Sequence, residues 1–294
     1  HPSNHSRIAC ESKVMMAGLG RTVLARQRMA RLWGLGDRSS PQSRTPGLVI
    51  TDDNFDVDYA PFTVSSDGGI PRTIQLESRA PFAPWESEDN GPTLSASIGH
   101  VLPPSLDEAD AGEVASKGEV ISISWQSLNH DEELLNPNLK PHIVILSDAL
   151  QLANRPRKLV TAIHVIKNRF PGSLLWTPGI GGPDNCAVLA WFGVDLFDTT
   201  RARQAESHGA VITWNGPRLA NENESTKTHW ESAISDVRSA IADNRLREIA
   251  QSQSLNSPRL VEHLRNHDKI ISESEGVLSQ VVSKGTALRI HSVE

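Results

Sequence analysis

Residues 141–200, PHIVILSDAL QLANRPRKLV TAIHVIKNRF PGSLLWTPGI GGPDNCAVLA WFGVDLFDTT, alternate strand, helix and loop signals more cleanly than any other part of the chain. His142 to Leu146 is a short apolar run rich in β-branched residues, which suits a strand buried on both faces; it ends at Ser147-Asp148. Pro156 falls near the first turn of a helix whose apolar positions Leu159, Val160, Ile163, Val165 and Ile166 roughly keep helical spacing, with Arg155, Arg157, Lys158, Lys167 and Arg169 on the other side. Pro171-Gly172 stops it, and Ser173 to Trp176 is the next strand. A loop rich in glycine and proline, Thr177 to Pro183, then leads to a helix starting at Asp184 or Asn185 and closed by Gly193. Val194 to Asp198 is the third strand. Strand, helix, strand, helix, strand makes either a doubly wound sheet or a stretch of (β/α) barrel. In both, chemistry sits beyond the carboxyl ends of the strands. Ser147-Asp148, the Thr177–Pro183 loop and Asp198-Thr199-Thr200-Arg201 therefore share one rim.

The flanking chain is harder to read. Val23 to Arg26 and Ala30 to Trp33 predict a strand pair, with Gly34 to Pro46 as a polar connection into a strand at Gly47 to Ile50. Prolines interrupt residues 51–118. Short strands are expected there at Phe62 to Val64, Ile74 to Leu76 and Gly99 to Leu102, and a helix or lid at Asp107 to Ser116; Phe82 and Trp85 are core residues or base-stacking platforms. Glu119 to Trp125 and Ala210 to Trp214 each predict a strand. Helical spacing follows Thr228, with a break near Asp243-Asn244, and Ser257-Pro258 caps a last helix with Leu260, Val261 and Leu264 inward.

With 294 residues and 38% hydrophobic content the chain can bury one large core. Nothing approaches the roughly 20 apolar residues of a membrane helix, so no membrane partner is expected. Cys10 and Cys186 are too few and too far apart for a cysteine-rich metal site, and they fit a reducing, cytoplasmic location. A net charge of −6 argues against broad nonspecific binding to nucleic acid. Arg21, Arg26, Arg28, Arg31, Arg38 and Arg44 form a basic stretch, for which a solvated face or strand edge is the plainer reading. Residues 1–16 read as a disordered leader.

The run TPGIGGPDNCAVLAWFGVDLFDTTRA, residues 177–202, resembles the late barrel segment of the tRNA-guanine transglycosylase superfamily. It is more similar to the transglycosylase-like amino-terminal half of archaeal archaeosine synthase, where the strand ends in Asp followed by Ser/Thr and Arg. The transglycosylases continue with Cys and Pro-Thr-Arg, where this chain has Thr199-Thr200-Arg201. Ala30-Arg31-Leu32-Trp33-Gly34 with Thr45-Pro46 resembles the opening of the superfamily. Arg245 to Glu248 and Ser257 to Arg265 resemble the helical segment after the barrel in the synthase. The resemblance implies an α/β fold, a (β/α) TIM-like barrel of open strand count over residues 17–216, then a helical segment over 217–294. It implies tRNA as partner, with the amidine-forming chemistry in a later domain or separate subunit whose Pro-Cys and Lys-Pro-Tyr signature this chain lacks. A homodimer stays open. No cofactor is expected, because the zinc-site cysteines of the superfamily do not follow Asp198.

Base exchange at a ribose needs a carboxylate nucleophile and an acid/base group. By position Asp198 suits the first role, and Asp148 is a candidate partner carboxylate. The plainer reading is that Asp198 caps the following turn and Asp195 pairs with an arginine. Gly179, Gly181 and Gly182 let backbone N–H groups approach a base or phosphate, and Arg201 and Arg203 suit tRNA phosphates; a solvated arginine is the default for the latter two. Two readings result: a tRNA-recognition or scaffolding half, and an active transglycosylase using Asp198. A barrel enzyme acting on a small molecule is a third.

Overall fold

The computed structural model describes residues 20–51, 57–66, 73–78, 93–97 and 120–291. The leader, Phe82, Trp85, the Gly99–Leu102 strand and the Asp107–Ser116 element lie outside the described residues.

Arg21–Gln27 (β1), Ala30–Gly36 (β2) and Pro41–Thr45 (β3) form a small antiparallel sheet in the order of the chain. β3 falls within the stretch read as a polar connection. A larger sheet contains six parallel strands: Gly47–Ile50 (β4), Phe62–Ser66 (β5), Val120–Ile123 (β8), Ile143–Leu146 (β9), Leu174–Trp176 (β10) and Leu196–Asp198 (β11). Thr73–Ser78 (β6) and Thr93–Ser97 (β7) extend it antiparallel beside β5. The last parallel strand, β11, pairs with the first, β4, so the strands curl into a half-barrel.

Successive residues on these strands serve two cores. Val49, Phe62, Ile143, Ile145, Trp176 and Leu196 pack inside the curl with Trp33 and Leu35, which β2 inserts there. Their neighbours Leu48, Ile50, Val144, Leu146, Leu175 and Phe197 face the helices. Burial on both faces is why these strands read as continuous apolar runs rather than alternating ones.

Helices return the chain between strands. Pro156–Arg169 (α3) has Pro156 at its first turn, and Cys186–Phe192 (α4) ends at Gly193 in the left-handed region, as expected. On α3 the expected sides of Lys167 and Val165 are exchanged: Lys167 is buried against Asp195, and Val165 is exposed. Two differences have local causes. The strand expected through Trp125 stops at Ile123, because Ser124 and Ser127 form a reciprocal capping box that starts a helix, Trp125–His130 (α1). A short helix, Ala149–Ala153 (α2), precedes α3. After the Thr200–Glu206 helix (α5), Ala210–Thr213 (β12) does not join the large sheet; it pairs with Gly216–Leu219 (β13) in a separate hairpin.

Thr226–Ala242 (α6), Leu246–Ser254 (α7) and Pro258–His291 (α8) follow, broken at Asp243-Asn244 as the spacing predicts. Trp230, Ile234, Val237, Ile241, Leu246 and Leu260 join the outer core rather than forming one of their own. The basic stretch divides. Arg26, Arg28, Arg38 and Arg44 are exposed, but Arg31 is buried and donates to the Pro171 carbonyl, and Arg21 reaches the Gly172 carbonyl at 2.6 Å. The reading as a solvated face or strand edge therefore fails at Arg31, buried in the central strand; Arg21, on edge strand β1, and Arg31 tie the small sheet to the amino-terminal end of β10.

Gln253 joins the helical segment to the rim. Its Oε1 accepts from the Ala187 and Val188 N–H groups at 2.8 and 3.3 Å, and its Nε2 donates to the Pro183 carbonyl at 2.8 Å. Asn185, at the N-cap of α4, makes no side-chain cap bond, so a buried glutamine from another helix supplies the acceptor. Gln253→Leu, which keeps the volume and removes the partners, is expected to lower stability by about 2–3 kcal/mol by stranding buried N–H groups. Urea denaturation checks this; an unchanged midpoint would refute the capping role.

Candidate functional site

Asp198 ends β11 with its carboxylate buried inside the curl at 1% exposure. Oδ2 accepts from the Gly179 N–H at 2.7 Å and from Trp176 Nε1 at 3.2 Å, and Oδ1 accepts from the Thr200 N–H at 2.9 Å. Three neutral donors thus hold it, two of them backbone groups at neighbouring strand ends. The turn-capping interpretation is met by Thr200. Beyond it, the carboxylate fixes where the Thr177–Pro183 loop starts.

The glycines of that loop have steric reasons to be there. Gly179 has a φ of +77°, and a Cβ on Gly181 would stand 2.8 Å from the Phe197 ring. A Cβ on Gly182 would collide with Asp184 and Arg201. The N–H of Gly179 goes to Asp198 and that of Gly182 to Asn185 Oδ1 at 2.8 Å. Arg201 makes a two-pronged ion pair with Asp184 at 2.8 and 3.0 Å and also meets the Ile180 carbonyl. It braces the loop from above.

Asp148 follows β9 as the N-cap residue of α2 at 6% exposure, and its Oδ2 accepts from the Trp125 N–H at 2.9 Å, at the start of α1. Asp195, read as the partner of an arginine, pairs with Lys167 instead. Neither Asp148 nor Asp198 lines the larger described cavity, a space of about 480 Å³ outside the curl that Gly179, Thr200 and Arg201 do line. The structure thus brings Gly179 and Arg201 together at one cavity, and neither carboxylate is among its lining residues.

The same end of the molecule carries further cations. α3 runs antiparallel to the strands, so its first turn sets Arg155, Arg157 and Lys158 on the rim side, with Lys158 Nζ 5.3 Å from the Trp125 ring centre. Arg259, in the first turn of α8, reaches across to Asn154 Oδ1. Sequence reading missed His263, which lines the cavity at 4% exposure. Its signal was available: residues 260, 263, 264 and 267 fall on one helical face, and a histidine on an otherwise apolar stripe marks a buried polar group.

No protein-family model matches the chain, and no helix among the described residues is long and apolar enough to cross a membrane. Archaeosine synthase subunit alpha of Methanosarcina acetivorans is 33% identical over 180 residues, 60% of this chain. The match spans 29% of the length of that relative. Over this part of its length the chain is a distant relative of an archaeosine synthase subunit.

Proposed function

We propose that the chain is a tRNA-modification module of the archaeosine synthase type, built on a TIM-like barrel in which the β6–β7 hairpin takes the place of parallel strands. Its role is to recognise or position tRNA, while a carboxyl-terminal domain or a separate subunit supplies the amidine-forming chemistry. The relative's name, the resemblance around Asp198 and the cationic rim support this. The observation that carries the choice of role is the state of Asp198. A nucleophilic carboxylate needs a free lone pair facing substrate, and this one is buried and accepts from Trp176 Nε1 on the neighbouring strand, the Gly179 N–H of the loop and the Thr200 N–H.

The test is single-turnover exchange with tRNA and a labelled 7-deazaguanine base. Bound tRNA with no incorporated label is the expected result. Label that enters tRNA with the wild type and not with Asp198→Asn would overturn the recognition role and establish a transglycosylase. Asparagine is the variant to use. Asp198→Ala removes the acceptor from three buried donors and is expected to cost about 2–4 kcal/mol in stability, so loss of exchange there would follow from a collapsed loop alone. A protein that binds no tRNA at all would favour the small-molecule alternative.

A further inference from the structure

The cations at the carboxyl-terminal end of the strands form a row with an aromatic ring at one end. Arg157 and Lys158 lie in the first turn of α3 with Arg155 just before it, and Arg259 lies in the first turn of α8. Arg155, Arg157 and Arg259 are exposed. Lys158 meets the Trp125 ring and Arg259 the neutral Asn154 amide, and none of the four pairs with a carboxylate among the described residues. Residues 124–130, 149–161 and 255–261 contain no acid at all. Asp148 and Asp184 are buried, Asp184 is taken by Arg201, and Glu262 is the first exposed acid along α8. Glu132 and Glu133 sit at the far end of α3, where Arg169 donates to the Leu134 carbonyl, roughly 20 Å down the helix. Charge is thus segregated between the two ends of the molecule, and a net charge of −6 does not prevent a local anion-binding surface.

The extent of the row selects a polymer. α3 packs against both α1 and α8. Packed helices lie about 8–10 Å apart, so a row that starts over α1, crosses α3 and ends on α8 runs for roughly 16–20 Å. A single small anion meets one or two of these cations; a strand with a phosphate at every residue meets them all.

Trp125 selects the kind of strand. The indole is half-buried, packs against the outer core, and carries Lys158 Nζ over its ring at 5.3 Å from the centre. Its backbone is fixed by the Asp148 carboxylate and by the Ser124–Ser127 capping box. A cation–π contact at an exposed site is weaker than the stacking of a nucleobase on an aromatic ring. A base can therefore displace the ammonium, which is then free to meet the adjoining phosphate. An acidic peptide would leave the indole unused, and a duplex keeps its bases inside the stack.

We propose that this row binds an unpaired stretch of RNA, with phosphates along Arg155, Arg157 and Arg259 and one base stacked on Trp125 in place of the Lys158 ammonium. The choice of RNA rests on the tRNA reading above; the choice of an unpaired strand rests on the row and the indole.

The test is a fluorescence-anisotropy titration of the whole chain over a range of salt concentrations. The probes are a labelled single-stranded oligoribonucleotide, the same strand annealed to its complement, the DNA strand of the same sequence, and a tRNA. Wild type is compared with Arg155→Ala/Arg157→Ala/Arg259→Ala, Trp125→Leu, Trp125→Phe and, as a control on the small sheet and its turn, Arg38→Ala/Arg44→Ala. The RNA single strand is expected to bind about fivefold tighter than the duplex, or more. The triple variant should weaken it by about tenfold or more and lower the slope of log K against log salt by about 2, as three lost phosphate contacts require. Trp125→Leu should weaken it by about fivefold or more with the slope kept, and Trp125→Phe, which retains a ring, should recover most of that loss. Duplex binding as tight as the single strand, a triple variant that binds like wild type, or an equal loss in the Arg38/Arg44 control would overturn the inference. A DNA strand bound as tightly as its RNA counterpart would overturn the choice of RNA. The three arginines are exposed, so their variant decides the matter even if Trp125→Leu fails to fold. Binding of tRNA that survives the triple substitution would sink this surface and leave the proposed function standing; binding of the single strand without tRNA would do the reverse.

Discussion

Lys167→Met is expected to destabilise the protein by about 3–5 kcal/mol, because it breaks a buried ion pair and leaves the acid behind. Lys167 projects from α3 at 2% exposure. Its ammonium lies 2.9 Å from Asp195 Oδ2 and 3.3 Å from the Ser173 carbonyl. Asp195 is 1% exposed and also accepts from the Leu175 N–H at 2.9 Å and Trp33 Nε1 at 3.1 Å. Four parts of the chain therefore meet at one carboxylate: β2, α3, β10 and the start of β11. Burial pulls the lysine below its ordinary range, and Asp195 pulls it back. With the lysine gone, Arg21 and Arg31 remain as weaker compensation, since each also acts on Asp195 electrostatically.

A second substitution separates charge from packing. Asp195→Asn in the Lys167→Met background removes the stranded charge and keeps an acceptor for one of the two donors, Leu175 N–H on Oδ2 or Trp33 Nε1 on Oδ1, so the double variant is expected to be more stable than Lys167→Met alone. Urea denaturation of the set measures the coupling directly. Lys167→Met within about 1 kcal/mol of wild type would mean that solvent or the arginines already neutralise Asp195. Gly193 bears on the same point: its φ of +108° suits glycine, and a Cβ there would press on the Lys167 stem at 3.1–3.3 Å.

What the sequence revealed, and what it hid, follows from where the forces are local. Residues 143–146, 156–169, 174–176 and 186–193 were legible because two-sided burial produces apolar runs and because Pro156, Pro171-Gly172 and Gly193 mark the boundaries. β3 was hidden because Pro41–Thr45 carries only polar side chains after its proline; backbone pairing with β2 makes the strand. Trp125 fell outside its expected strand because a capping box outweighed β propensity.

The site divides in the same way. Asp198 was legible as a strand-end carboxylate, because its position depends on β11 alone. The Thr200 N–H was legible as the turn cap, but the Gly179 N–H and the Trp176 indole were not, since the first comes from a loop whose path is set by Phe197, Asp184 and Arg201 and the second from the neighbouring strand. The arginine expected opposite Asp195 proved to be a lysine 28 residues earlier in the chain. Charge pairing across α/β layers leaves no local pattern to read.

The protein is expected to lose stability steeply on mild acidification, and the cause lies on α8. His263 and His267 are one turn apart and both buried, and burial lowers each to about 4. His267 stacks on the Phe192 ring at 4.8 Å and tilts against Trp191. Asp268 favours its charged form, while His164 and Arg247 oppose it; the Arg259 charge opposes protonation of His263 and a hydrogen bond to the Arg259 backbone favours it, more weakly. Both rings are therefore neutral in the folded protein near neutral pH. In the unfolded chain a histidine takes up its proton near pH 6.5. Between that pH and about 4 the unfolded state binds more protons, so stability falls as pH falls. The slope approaches 1.4 kcal/mol per pH unit per histidine, or about 2 kcal/mol each between pH 7 and pH 5. His142, lowered to about 4 by burial and then by Arg21, adds to the same window. Urea midpoints measured at pH 7 and pH 5 check the sum. His267→Phe, which retains a ring against Phe192, is expected to remove about one histidine's share of the pH dependence. If the wild type has the same midpoint at both pH values, the α8 histidines are already solvated or paired in solution, and α8 does not pack against α3 and α4 as described.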